Sequence, residues 1–242
     1  MKRHALHLLA LPIAWCISTH AAAQTAPHDG GAGSDEAKAQ LQAPVALRGK
    51  TVAVGAESAE QWFPTLATAL SRNSASQTAQ SQLELARAYY SVGILDKASD
   101  LYEVVARRDP RRAAAWDGLA RIWRDWGYPQ LGLGDAHRAV WADPRSPVAR
   151  NTLGTILQLL GKSREAKEQF ARAASLDPAA AYAQYNLGLT CVTLGQFAEA
   201  AESFDRAAAL DTSLDAARLH AGFARTQAAE AAAGRGGSHE RR

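Results

Sequence analysis

Residues 147–180 read PVARNTLGTILQLLGKSREAKEQFARAASLDPAA, and residues 181–214 read AYAQYNLGLTCVTLGQFAEAAESFDRAAALDTSL. Laid one over the other, they share leucine at the seventh place (Leu153, Leu187) and glycine at the eighth (Gly154, Gly188). They also share glycine at the fifteenth (Gly161, Gly195), phenylalanine at the twenty-fourth (Phe170, Phe204) and aspartate at the thirty-first (Asp177, Asp211). The period is 34, and it extends backwards. Gly93 and Gly127 continue the glycine series, and Asp109-Pro110 and Asp143-Pro144 join Asp177-Pro178; the last copy has Thr212 where the others have proline. A glycine takes the left-handed conformation that ends a helix at little steric cost. A proline disfavours helix in the residue before it. Each unit is therefore helix, glycine turn, helix, Asp-Pro turn, and the fold class is all-α.

The spacing predicts four units, 79–112, 113–146, 147–180 and 181–214. Small residues at the eighth place (Ala86, Ala120, Gly154, Gly188) and the twentieth (Ala98, Gly132, Ala166, Ala200) let the paired helices approach. Unit two carries Ala136 at the twenty-fourth place, where Tyr102, Phe170 and Phe204 stand elsewhere. Trp123 and Trp126 are expected to fill the volume it leaves. Residues 215–230 predict one more helix. It carries Arg218 and Arg225 at places that are often aromatic or apolar within the array, so it is read as a cap. A weak helical pattern in 58–78, with Trp62, Leu66, Ala69 and Leu70 on one face, predicts a flanking helix before unit one.

At these residues the chain resembles the tetratricopeptide repeat family, whose 34-residue helix–turn–helix carries a W-x-x-L-G-x-x-Y, then A, F and P pattern. Unit two has Trp116, Leu119, Ala120 and Trp123 at those places, and unit four has Leu187, Gly188, Ala200 and Phe204. The resemblance implies a solenoid, a right-handed superhelix of hairpins with the first helix of each unit on the concave face. It implies a protein or peptide partner and leaves the partner's identity open. The two-lysine, two-asparagine, arginine clamp of the chaperone-tail subset is absent: its places hold Leu83, Arg87, Gly118, Val148 and Thr152.

The ends read differently. Lys2 and Arg3, an apolar run from Ala5 to Ile17 and Ala21-Ala22-Ala23 have the layout of a signal peptide cleaved before Gln24. Trp15 before Cys16 argues against lipidation, so the expected destination is the periplasm. Residues 24–57, with Gly30-Gly31-Ala32-Gly33-Ser34 at their centre, read as a linker, and 231–242 as a frayed tail. Of the 27 Lys and Arg, two lie in the leader, leaving 25 bases against 24 acids. Such a balance argues against a phosphate-led nucleic-acid binder. No stretch after the leader is long and apolar enough for stable membrane insertion.

Little points to catalysis, and no cofactor or metal is implied. After cleavage the histidines are His28, His137, His220 and His239, none at ligand spacing from another. Cys191, the one cysteine after the leader, is expected in the core. The informative surface is the stripe made by places two, five, nine and twelve of each first helix. It is polar and mixed in charge early and apolar late. The candidate groove residues are Arg87, Arg121, Arg124, Asn151, Tyr182, Tyr185, Asn186, Leu189, Leu219 and Phe223. The aromatics would anchor a partner and the arginines steer its acidic end. The function expected is a periplasmic interaction scaffold in an envelope assembly such as a pilus, secretion or export machine. The alternatives are a structural subunit that oligomerises through its outer face or Trp141, and a helical-solenoid enzyme.

Overall fold

The structure is a computed structural model that describes residues 63–236. The chain divides into Met1–Thr51, which lies outside the described residues together with the predicted leader and most of the linker, and Val52–Arg242, to which every element below belongs. All described elements are helices: α1 Pro64–Ala75, α2 Ala79–Ser91, α3 Leu95–Arg108, α4 Ala113–Asp125, α5 Pro129–Ala142, α6 Pro147–Leu159, α7 Ser163–Leu176, α8 Ala181–Thr193, α9 Phe197–Leu210 and α10 Asp215–Gly236. Pairs α2–α3, α4–α5, α6–α7 and α8–α9 are the four repeats. Each helix packs on the next, and the first helices of successive units also touch one another, α2 on α4, α4 on α6 and α6 on α8.

The two punctuation marks close by different hydrogen bonds. Gly93, Gly127, Gly161 and Gly195 all have φ between 71° and 84°. After each, an N–H reaches back five residues to a carbonyl: Ile94 to Tyr89, Tyr128 to Trp123, Lys162 to Leu157 and Gln196 to Cys191, at 2.8–2.9 Å. At the other turn the aspartate side chain makes the bond. Oδ1 of Asp109, Asp143, Asp177 and Asp211 accepts the N–H two residues on, from Arg111, Arg145, Ala179 and Ser213, at 3.0–3.1 Å. The fourth copy makes this turn without a proline, so aspartate, rather than proline, is the residue the turn depends on.

The core follows the repeat. Leu85, Leu119, Leu153 and Leu187 are buried, and Val105, Ala139, Ala173 and Ala207 completely so. In units three and four, a Cβ added at Gly154 would sit 2.7 Å from the Phe170 ring, and one at Gly188 2.7 Å from Phe204. The glycine of the first helix is the seat of the phenylalanine on the second. Unit two pairs Ala120 with Ala136 instead. Gly132 lets α5 approach α4 closely, since a Cβ there would meet Ala120 O at 2.9 Å and Trp123 Cβ at 3.0 Å, and the Trp123 ring meets Trp126 edge-on at 5.3 Å. Tyr102 of unit one turns toward the following repeat, onto Gly118 at 2.5 Å from a notional Cβ.

Both ends differ from the sequence expectation. Residues 58–62 of the expected flanking helix, Trp62 among them, lie outside the described residues. The helix described there, α1, has proline at its first turn, where proline fits a helix start, and ends at Ala75, short of the expected 78. Helix α10 runs to Gly236, past the expected limit of 230. Ala228, Ala229 and Ala231–Ala233 supply strong helix formers where a frayed tail is expected; residues 237–242 lie outside the described residues. Arg225 pairs with Asp205 at 2.5 Å and Arg218 with Asp215 at 2.7 Å. No described helix is long and apolar enough to cross a membrane.

Candidate functional site: the surface of the first helices

The first helices carry a ladder whose step is 35 residues, one more than the repeat. The Asn186 amide donates to Asn151 Oδ1 at 2.8 Å, Tyr185 OH and His220 Nδ1 share a hydrogen bond of 3.2 Å, Tyr90 OH donates to Asp125, and Asp117 hydrogen-bonds Thr152. A side chain on one first helix thus meets the residue one place further along on the next. The extra residue is the offset between neighbouring helices in the superhelix.

At the α2–α4 end the ladder is charged. The Arg121 guanidinium lies 4.4 Å over the Tyr90 ring. Arg124 is 2.7 Å from Asp125 Oδ1 and donates to Tyr90 OH at 3.2 Å. Arg87 is exposed on α2. Asp117 is only 8% exposed, and its Oδ1 has no hydrogen-bond partner. Burial pushes its carboxyl above the usual carboxylate range, although Thr152, Arg121, Arg124 and Arg87 all pull the other way. A raised folded-state pKa means that the fold binds this proton more tightly than the unfolded chain does. The group therefore costs stability as pH rises from the usual carboxylate range through its raised value, and returns it as pH falls. Denaturation across that window is expected to show the wild type losing stability with rising pH relative to Asp117→Asn. A difference that stays constant with pH would mean that the carboxyl is not desolvated.

At the α8–α10 end the stripe is apolar. Tyr185 is half-buried: its ring stacks on His220 at 5.7 Å and packs on Phe204 at 5.6 Å. It joins the cap to unit four and is not a free anchor. Burial holds the His220 imidazole below its ordinary pKa. Leu189 and Asn186 are half-buried beside it. Tyr182, Leu219 and Phe223 are 40%, 73% and 41% exposed. Asn151 sits between the two ends. Sequence reading placed all ten residues on first helices but missed His220, and it missed that Asp117 is a buried acid. The 35-residue spacing of polar pairs is the signal that marks both.

Elsewhere, Cys191 is fully buried, and burial pushes its thiol up to about 11. Thiol labelling of the native chain near neutral pH, read by mass spectrometry, is expected to leave Cys191 unmodified until denaturant is added; rapid native labelling would place it outside the core. Among the described residues, no three His, Cys, Asp or Glu cluster to hold a metal. On the second helices, Trp141 is 69% exposed.

Residues 151–215 match the tetratricopeptide repeat family. No curated protein matches the chain. Among solved structures, TTC0263, a thermophilic TPR protein of Thermus thermophilus, is similar with a TM-score of 0.58 at 18% identity, over 66% of this chain and 89% of its own. Pseudomonas aeruginosa pilF is similar with a TM-score of 0.58 at 22% identity, over 63% of this chain and 69% of its own. YrrB, described as a TPR protein with an unusual peptide-binding site, gives a TM-score of 0.51 at 23% identity, over 71% of this chain and 88% of its own. At such identities the likeness is one of fold.

Proposed function

We propose that the chain, whose residues 151–215 match the tetratricopeptide repeat family, is a periplasmic scaffold that holds a peptide or protein partner in the groove of its first helices, within an envelope assembly of the pilus, secretion or export kind. The observation that carries the groove reading is that Tyr182, Leu219 and Phe223, large side chains on the stripe, are left in water at its late end, where Leu189 and Val192 are apolar as well. Apolar surface rimmed by polar residues is the usual form of a partner site. The likeness to YrrB, described as having a peptide-binding site, supports the same use of the scaffold. We read the role as non-enzymatic, in line with the scaffold use of the fold it resembles.

Location rests on residues 1–23. N-terminal sequencing of the protein from an envelope fraction is expected to begin at Gln24; a lipid-modified chain beginning at Cys16 would contradict it. Crosslinking in the periplasm followed by mass spectrometry identifies the partner. The exposed Trp141 supports a second reading, a structural subunit that assembles through the outer face. Under that reading, Trp141→Ser abolishes association and changes in the groove do nothing.

A further inference from the structure

We infer that the groove selects an extended peptide with an acidic side chain at Arg87 and Arg121 and, about five to nine residues along, apolar side chains at Tyr182, Leu219 and Phe223. This rests on the groove reading above and names its ligand. Charge complementarity fixes the first element. Three arginines stand on α2 and α4 with three acids: Glu84 pairs with Arg72 at 3.2 Å and accepts from Gln80, Asp125 is occupied by Tyr90 and Arg124, and Asp117 is buried. Arg87 is exposed, and the Tyr90 ring holds Arg121 in place, so part of the ordering cost of binding a carboxylate is already met.

Beyond α4 the stripe carries no charge. On α6, Val148 is apolar and exposed while Asn151, Thr155 and Gln158 are polar and uncharged, and Leu189, Val192, Leu219 and Phe223 are apolar. A second charge on the partner meets no counter-charge there. Neighbouring first helices lie about 8–10 Å apart. The two or three intervals from α4 to α8 and α10 therefore correspond to about five to nine residues of extended chain at about 3.3 Å each. The amides of Asn151 and Gln158 in the middle suit an extended backbone, whose N–H and C=O groups need partners. A helical ligand satisfies its own backbone and would need about twice that sequence spacing.

The test is selection of random-sequence display peptides on the folded chain. Enriched peptides are expected to carry Asp or Glu, then two apolar residues at that spacing. Arg87→Glu, a change at an exposed position, is expected to weaken them about tenfold and, on fresh selection, to favour Lys or Arg in place of the acid. Leu219→Ser with Phe223→Ser is expected to remove the apolar preference and keep the acidic one. Peptides that depend on both sets of variants but lack the acid, or that space the two elements about twice as far apart, overturn this inference and leave the groove reading intact. Peptides indifferent to both sets of variants, or no enrichment at all, overturn both.

Discussion

Phe170→Ala is expected to destabilise the fold by about 3–5 kcal/mol, as large-to-small changes at fully buried aromatics do. Gly154→Ala alone is expected to cost about 1–3 kcal/mol, because its methyl would enter the Phe170 ring, 2.7 Å from the nearest carbon. The two together cost less than their sum. Unit two already stands on that pairing, with Ala120 and Ala136 both fully buried. The coupling energy is expected to favour the double variant by about 1 kcal/mol or more. Chemical denaturation of the four chains of the cycle measures it. Strict additivity would mean that the glycine and the ring do not share one space, and the account of how the paired helices pack would be wrong. Changes in the slope of the transition need watching, since repeat arrays lose cooperativity when one unit is weakened.

The second large effect concerns binding. Leu219→Ser with Phe223→Ser is expected to leave stability within about 0.5 kcal/mol, because both side chains are exposed. Partner affinity is expected to fall about a hundredfold, at about 1–2 kcal/mol for each anchor lost. Tyr185 is the wrong residue for this test. Its ring packs on Phe204 and His220, so Tyr185→Ala loosens the cap and lowers binding and stability together. Equilibrium capture of the crosslinked partner and a denaturation curve on the same variant separate the two effects. Loss of stability with unchanged capture would mean that Leu219 and Phe223 serve the fold and not the partner.

The architecture was legible because a repeat states each rule several times. Four glycines and four aspartates at a spacing of 34 place eight turns, and both turn types close with the same hydrogen bonds in every copy. What one copy does differently was harder to read. Nothing in unit two alone says that Gly132 is where α5 comes closest to the Ala120 carbonyl, since Gly132 and Ala136 are both small residues on α5. Arg218 was a poor marker of the end of the stack. It reaches back to Thr212 O at 2.8 Å just as Arg150, inside the array, reaches back to Pro144 O at 2.7 Å. Arg225 was the better marker, because its place is taken by Tyr89, Trp123, Leu157 and Cys191 in the units before it.

The surface of the first helices was legible as a stripe and not as a set of contacts. Helical spacing puts Arg87, Arg121, Tyr182 and Phe223 on one side of their helices. It does not tell which side chains meet across helices, because that depends on the one-residue offset between neighbours. The offset takes Tyr185 out of the exposed set and into the aromatic contact with the cap. It leaves Leu219 and Phe223 in water, and it sets Asp117 beneath the arginines. The apolar end of the groove is therefore smaller than the sequence stripe implies, and it is concentrated on α10 and the start of α8.

The central claim is that a partner occupies the surface of the first helices. The direct measurement is site-specific photocrosslinking in cells, with a photoreactive amino acid placed at Phe223 and, separately, at Trp141. Crosslinks from position 223, none from 141, and loss of the 223 product when Leu219→Ser is added are the result predicted here. Crosslinks from position 141 alone would contradict it and assign the interaction to the outer face.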